Sequence, residues 1–377
     1  MEKSFYKSEK KNILEALEKF RVSEIEYSLT LQNNISPFST IFSVFIKDLF
    51  NYNFEFQKNQ LVDYIQSFQD IETGLFVNRQ LNEKPNFYSK SCLQLTSFSL
   101  SALSILGSKP KYKINHNINT KEKIFSYLDK VGVKKGSIGS GNFAMFLGIF
   151  LTVDKLLDSS NKNLYHWFDY HDENRNPNNG FWTKGLKGKS QWAYQNAVHQ
   201  IAIYKFSNQP IANYKSSVDM VINHCDKNST FALLPGGGAC WDYDAIHILN
   251  YLGYKNHYRI NDIKYIFNNT FNSILKIKDE TGFCENSYVQ KISIKNNINQ
   301  FYQGRNILSS LFRVREFIIS KNNNFTHQPG WSNKPIKLSE CDLWSMWFRL
   351  LTIAEIEKTL DKKTKWKFHN FPGLGYF

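Results

Sequence analysis

The segment Pro235–Tyr254, PGGGACWDYDAIHILNYLGY, carries the densest group of reactive side chains in the sequence. Its glycine run lets the backbone bend where side chains would clash, and the apolar residues that follow predict a helix. Two carboxyl groups therefore fall close to a helix start, where an acidic side chain either caps the backbone or acts on a ligand. The side chains that could do chemistry here are Cys240, Trp241, Asp242, Asp244 and His247.

The two aspartates of this segment, Asp242 and Asp244, face different ways on a regular helix. Residues two apart are separated by about 200° around the axis, so one carboxyl group can face a cavity while the other orients it or caps the helix. Asp244 shares a helix face with Cys240 and His247. A carboxyl group among aromatic walls can have a raised pKa and serve as a general acid. The pair therefore predicts a site for acid catalysis.

Polar residues on other predicted helices add to this candidate site. Asp342 could work with Asp244 as a hydrolytic pair of carboxylates, and His199 lies within an apolar helix. Arg349 lies in the apolar run LWSMWFRLL and needs an acidic partner if it is buried. The candidate catalytic residues are Asp244, Asp242, His199 and Asp342. The candidate substrate-binding residues are Trp182, Trp192, Asn196, Trp241, His247, Trp344, Trp347 and Arg349.

A zinc site is the one metal site that these residue types suggest. Cys240 and Asp242 with a histidine, either His247 or His199, are ligand types that zinc accepts. No spacing in the sequence enforces such a site. We therefore expect no metal and no other cofactor.

The composition indicates a folded soluble protein, with 42% hydrophobic residues and a net charge of +14. The basic residues are scattered and no nucleic-acid motif is visible, so we expect a small-molecule or lipid-like substrate and no nucleic acid. Five widely spaced cysteines and the absence of a signal-peptide core at the start predict a cytoplasmic protein with reduced thiols. The longest apolar run, 143–153, is too short to span a bilayer. Peripheral contact with a membrane surface is left open by the basic excess.

A glycine–aromatic phrase recurs along the chain at intervals of about 50 residues or a multiple of that, which is typical of stacked helical hairpins. Apolar helices begin at a similar spacing after small or polar residues. The phrases are QDIETGLF at 69–76, NPNNGFW at 176–182, DKNSTFALLPGGG at 226–238 and KDETGF at 278–283. The helix starts are Ser91, Gly141, Ser190, Ala239 and, after a double interval, Glu340.

These patterns predict an all-α protein in which about six helical hairpins close into an α/α toroid around one cavity, with an open α-solenoid as the alternative. Further helix starts at Pro37 and Gln303 give seven candidate inner helices for six places. Residues 285–300 read as an inserted loop. We expect a polar tail over 1–10, a single toroid domain over 11–360 and an aromatic tail over 361–377 that packs on the body.

The chain resembles the superfamily of terpenoid cyclases and protein prenyltransferases. The turns at 69–76 and 278–283 are similar to the repeated glutamine–glycine–aromatic motif of that group, and DYDAIHILNYLGY at 242–254 is similar to the DxDD helix of class II cyclases. The resemblance implies that Asp244 protonates an isoprenoid-type substrate and that aromatic walls stabilise the carbocation. Ala245 stands where the motif has its last aspartate, and no DDxxD motif is present.

Two further functions stay open. Many polysaccharide lyases and glycoside hydrolases are also α/α toroids, and the positive net charge would suit an acidic saccharide. In a lyase the base and the carboxylate neutraliser could come from Asn196, His199, Tyr243 and Arg349. The third possibility is a toroid that binds a glycan or a protein without catalysis, in which Asp244 only caps its helix.

Overall fold

The structure is a computed structural model. It describes residues 4–32, 35–183, 191–232, 237–286, 294–303, 307–320, 325–326, 331–332, 334–360 and 363–373. Helices dominate this part of the chain, and its strands are two short antiparallel pairs, which confirms the all-α class. The first seven helices are α1 (Phe5–Glu18), α2 (Pro37–Leu49), α3 (Lys58–Ser67), α4 (Lys90–Ile105), α5 (Lys121–Lys130), α6 (Ser140–Leu157) and α7 (Asn163–Glu173). The others are α8 (Gln191–Phe206), α9 (Tyr214–His224), α10 (Ala239–Ile248), α11 (Ile260–Leu275), α12 (Ile294–Gln303), α13 (Ile307–Ser320) and α14 (Leu343–Leu360). The strands are β1 (Lys278–Asp279), β2 (Gly282–Phe283), β3 (Phe325–Thr326) and β4 (Ile336–Lys337).

Backbone contacts divide the chain into two compact units. The first unit comprises Met1–Tyr52 and Val218–Lys367, and the second comprises Asn53–Ser217 and Phe368–Phe377. The prediction of a single domain over 11–360 stays a prediction. The first unit contains the two aspartates that the sequence singles out, so it carries most of the candidate site.

In the first unit, α14 packs between α2 and α10, and the three helices run parallel. Asp242 and His247 of α10 bond to Arg349 and Glu355 of α14 in the same order along both helices. Rings of α2 likewise meet Trp344 and then Trp347 in sequence order. Parallel neighbours are what the predicted inner helices of a hairpin repeat require.

In the second unit, α6 packs between α4 and α8. The N–H of Gly141 in α6 donates to the side-chain oxygen of Asn196 in α8 at 3.1 Å. Seven residues on, a Cβ at Gly148 would lie 2.8 Å from the side chain of Ile203, so the two helices approach closely and also run parallel. Glycine at these positions removes the side chain that would separate the helices.

The recurring glycine–aromatic phrases fold into the same turn in at least two places. The N–H of Asp70 donates to the carbonyl of Leu75, and the N–H of Gly74 donates back to Asp70. Asn176 and Gly180 make the equivalent bonds 106 positions further on. Gly74 and Gly180 have φ values of 72° and 70°, which L side chains rarely adopt. The internal repeat is therefore present in the backbone structure as well as in the sequence.

Two sequence-based boundaries are wrong. The polar tail predicted for 1–10 is largely helical, because α1 begins at Phe5 and the side chains of Phe5 and Tyr6 are buried. The loop predicted for 285–300 contains the start of α12. Of the seven candidate inner helices, α13 packs mainly on α12, whereas α14 contacts α10 and α2 directly.

One helix in the described part of the chain, α6, is long and apolar enough to cross a membrane, so the apolar run is longer than 143–153 suggested. More than half of this helix, 61%, is buried inside the fold. Core helices of globular proteins meet the same length and composition test. The signal for a transmembrane segment is therefore weak.

Candidate active site on helices α10 and α14

Asp242 and Arg349 form an ion pair in which both side chains are fully shielded from solvent. The second oxygen of Asp242 accepts the backbone N–H of Phe231 at 2.9 Å. Burial raises the pKa of Asp242 to about 6, while the guanidinium and the Phe231 N–H oppose the shift. Asp242 therefore does not cap its own helix. Its carboxylate is the acidic partner that the sequence analysis expects for a buried Arg349.

Asp244 lies beside this pair in a different electrostatic setting. Its side chain is 2% exposed, and Oδ1 has no hydrogen-bond partner among the described residues. Burial first, and the negative charge of Asp242 second, raise the pKa of Asp244 well above its ordinary value. Gly238 is the N-cap of α10 and no side chain caps it, so Asp244 is not a capping residue. These two effects favour the protonated form of its carboxyl group.

Glu285 is a third carboxyl group at this site, and sequence reasoning placed it in an inserted loop. The Nη2 of Arg349 donates to the backbone carbonyl of Glu285 at 2.7 Å. The Glu285 carboxylate accepts the backbone N–H of Ala239 at the start of α10, and burial raises its pKa against the pull of Arg349. Its position two residues after the β2 strand, at the end of a glycine–aromatic turn, is the one sequence signal that could have indicated it.

Asp342 closes this group from the start of α14 and acts as the N-cap of that helix. Its Oδ1 accepts the N–H of Ser345 at 2.9 Å and its Oδ2 accepts the Ser345 hydroxyl at 2.6 Å. The same hydroxyl lies 3.3 Å from Glu285. Burial raises the pKa of Asp342 to about 7, while the two bonds from Ser345 oppose the shift. Its oxygens already have partners, so its geometry fits a structural role better than a hydrolytic one.

The glycine run sets the approach of the chain to this site. Gly237 has a φ of 80°, and a Cβ there would lie 2.2 Å from Oδ2 of Asp242. The carbonyl of Gly237 accepts a bond of 2.5 Å from the Asn286 side chain. Glycine is therefore required at this position both by the backbone conformation and by the close approach to Asp242.

His247 is tied to α14 away from the aspartates. Its Nδ1 lies 3.0 Å from both oxygens of Glu355, and Asn250 donates to the same carboxylate at 2.8 Å. The described part of the chain contains no group of three or more His, Cys, Asp or Glu side chains arranged to hold a metal ion. Of the suggested zinc ligands, Asp242 is bonded to Arg349 and His247 to Glu355, so these two serve to join α10 to α14.

A row of aromatic rings leads from α10 across α14 to α2. Tyr243 meets Phe348 edge to face at 5.4 Å, and Phe348 packs on Trp344 at 4.2 Å between ring centres. Trp344 continues to Trp331 at 4.5 Å and to Phe42 at 5.5 Å. Trp347 is buried on the same helix, whereas Trp241 and Trp344 are half-buried. The predicted tryptophans of the first unit therefore include both core and partly accessible rings.

The remaining predicted site residues belong to the second unit. His199 donates from Nδ1 to the carbonyl of Gln195 at 2.7 Å, and burial lowers its pKa to about 4, so its ring is neutral. Asn196 is engaged by Gly141 and by the carbonyl of Ser137. Trp182 is 2% exposed and stacks on Tyr204, while Trp192 is half-buried. Asn196 and Trp182 thus have clear packing roles in their own unit.

The chain matches no protein-family model, and searches of curated proteins and of solved structures gave no match either. The site is therefore interpreted from its own geometry. That geometry combines a carboxylate paired with an arginine, an adjacent buried carboxyl group with a raised pKa, and an aromatic row on the same helices.

Proposed function

We propose that this chain is a terpenoid cyclase-like enzyme in which Asp244 protonates an isoprenoid-type substrate. The observation that carries the proposal is the buried Asp244 carboxyl group, which has an oxygen without a hydrogen-bond partner among the described residues. A carboxylic acid that keeps its proton at neutral pH can protonate an alkene or an epoxide if water is excluded. Its raised pKa supports that role.

Asp242 and Arg349 support this chemistry as positioning residues. When the Asp244 proton moves to a substrate carbon, Asp244 becomes a carboxylate next to Asp242, and two adjacent negative charges are unfavourable. The guanidinium of Arg349 already offsets the charge of Asp242, which limits that repulsion. The positive charge formed on the substrate is then of opposite sign to both carboxylates.

The aromatic row on α10, α14 and α2 supports the same proposal. Aromatic faces attract cations, and a carbocation has no other strong partner in an apolar pocket. The half-buried rings of Trp241 and Trp344 lie on the helices that carry Asp244 and Arg349. They are the rings we propose to face the substrate.

The proposed architecture is an α/α toroid with the substrate in its central cavity. It is supported by the repeated turn at Asp70 and Asn176 and by parallel inner helices in each unit. An open solenoid of the same hairpins is the alternative arrangement. In the toroid the substrate is expected to enter a cavity lined by the N-terminal parts of the inner helices.

A glycan lyase or hydrolase is less well supported by these contacts. Arg349 would have to neutralise a uronate carboxylate, yet it is already bonded to Asp242 and to Glu285. Tyr243, one of the two candidate bases, has its side chain buried between Phe348 and His247. The other candidate base, His199, lies in the second unit. A non-catalytic binding toroid would leave the perturbed pKa of Asp244 without a role.

The experiment is a screen of linear prenyl diphosphates, squalene and an epoxysqualene, with products identified by gas chromatography and mass spectrometry. We expect the wild-type protein to give a cyclised or hydrated product, with any diphosphate retained. Asp244→Asn should lower the rate at least about 100-fold, because general acid catalysis contributes on that scale. The matched control is Asp262→Asn, whose carboxylate is 46% exposed and should not affect turnover.

Two results would contradict the proposal. The first is full activity of a folded Asp244→Asn variant on any substrate that the wild type converts. The second is inactivity of the wild type on the whole prenyl panel together with cleavage of an acidic oligosaccharide. Circular dichroism of each variant separates loss of activity from loss of fold.

A further inference from the structure

The helical pair α12–α13 exposes an unusually apolar surface. Eight large apolar side chains are exposed among those described on these two helices, including Ile294 at 81%, Ile307 at 74% and Tyr302 at 63%. We call this set the α12–α13 surface. It comprises Ile294, Ile298, Phe301, Tyr302, Ile307, Leu308, Leu311 and Ile318.

Helical spacing places these side chains on one side of each helix. In α12 the positions recur at intervals of four, three and one, and in α13 at one, three and seven, which keeps each set within an arc of about 100°. Ser310, between two exposed residues in sequence, is buried, and Val314 is half-buried. The exposed apolar side chains of each helix therefore lie together on one side of it.

The charge of this segment indicates what covers the surface. Residues 291–321 contain six Lys or Arg residues and one Glu, a net charge of +5. Lys295 and Arg315 are exposed on the same helices as the apolar residues. An amphipathic helix with basic residues beside an apolar face binds in the plane of a membrane interface, where apolar side chains enter the acyl boundary and the cations meet anionic headgroups.

We propose that the α12–α13 surface binds the headgroup region of an anionic lipid bilayer. The occupant is a membrane because the surface joins aliphatic and aromatic side chains with an excess of positive charge, as the bilayer interface requires. An isologous contact with a second copy would bring Lys295 and Arg315 of each chain close together, and like charges oppose that contact. The proposal does not depend on the proposed catalytic function.

The test is vesicle flotation of the full chain with phosphatidylcholine vesicles that contain or lack 30% phosphatidylglycerol. We expect the wild type to float with the anionic vesicles and to be released by 0.5 M salt, which screens exposed charges. Lys295→Gln/Arg315→Gln should weaken partitioning roughly 30-fold. Ile294→Ser/Ile298→Ser/Leu311→Ser should weaken it by more than about tenfold, through lost apolar burial.

The matched control is Ile71→Ser/Leu156→Ser/Leu157→Ser, which removes three exposed apolar side chains from the second unit and should float as the wild type does. All substituted side chains are exposed, so the variants are expected to fold. The proposal is overturned if the wild type does not float, or if the variant Ile294→Ser/Ile298→Ser/Leu311→Ser floats as well as the control variant. It is also overturned if neither protein binds vesicles and light scattering shows a wild-type dimer that is absent from the serine triple variant of the α12–α13 surface.

Discussion

Arg349 and Asp242 pair in the protein interior although they lie 107 positions apart in the chain. The pair joins α14 to α10 and stands next to the buried Asp244, whose pKa it helps to raise through the charge of Asp242. It therefore links the stability of the first unit to the electrostatics of its candidate site.

Breaking this pair is expected to lower the free energy of unfolding by about 3–5 kcal/mol, because either single change leaves a buried charge without its partner. The variants are Asp242→Asn and Arg349→Met, measured by urea unfolding. The double variant should lose less than the sum of the two. The control is the exposed pair of Arg259 and Asp219, where Arg259→Met should cost at most about 1 kcal/mol. Similar losses at the two pairs would contradict the buried role of Arg349.

Asp342 should make the stability of the protein depend on pH in a defined direction. Its folded pKa, about 7, lies above its ordinary value, so the folded state holds this proton more tightly and stability falls as pH rises from about 4 to about 7. Asp342→Asn keeps a good N-cap and removes the titration. Relative to wild type, the variant should gain ~1.4 kcal/mol per pH unit across that window. Urea unfolding from pH 4.5 to 8 measures the difference, and parallel curves would contradict it.

Alanine substitutions at two glycines with nearly equal φ values distinguish the cost of backbone strain from the cost of a steric contact with Asp242. Gly139→Ala places a Cβ in open space at a φ of 79°, and should cost about 1–2 kcal/mol. Gly237→Ala at 80° also brings the Cβ against Asp242, which should add roughly 1–3 kcal/mol. Urea unfolding gives both values. Equal losses would mean that the chain relaxes around the new methyl group.

Glu357 of α14 holds the start of α1. One of its oxygens accepts the N–H of Phe5 at 2.5 Å, and the other accepts the Trp366 side chain at 2.7 Å. Glu357→Gln should lower the free energy of unfolding by about 1–3 kcal/mol, because charged acceptors make the stronger bonds. Hydrogen exchange should accelerate at Phe5 and Tyr6 first. Glu15→Gln on the exposed side of α1 is the control, and unchanged exchange at Phe5 would contradict the role.

For any substrate found in the prenyl screen, kcat/KM should depend on pH through the protonation of Asp244. A general acid must carry its proton, so kcat/KM should fall as pH rises through the raised pKa of this group. His199, with a pKa lowered to about 4, should add no transition between pH 5 and 8. A steep fall below pH 6 on lowering the pH would instead indicate catalysis by a carboxylate base.

Local patterns predicted most of the helices because periodicity and start signals lie within a few residues. The helix from Pro37 follows from proline at a helix start, and the turn at Asp70 from its glycine. Asp342 precedes an apolar run and so carries an ordinary capping signal, although the sequence analysis assigned it to catalysis. The pairing of Asp242 with Arg349 was outside the reach of the sequence because partners 107 positions apart leave no local pattern. Glu285 was missed because it was assigned to an inserted loop, although it lies two residues after the glycine–aromatic turn at 278–283.

The first unit joins an N-terminal and a C-terminal segment of the chain, which has a consequence for synthesis on the ribosome. Its N-terminal helices, α1 and α2, need α14 for packing, and Glu357 bonds to the start of α1 across 352 positions. At 5–20 residues per second, roughly a minute or less separates the emergence of the first helix from that of its partner. The contiguous stretch Asn53–Ser217 of the second unit is synthesised during that interval. The nascent chain would then wait with its first apolar helices uncovered, as a client for chaperones.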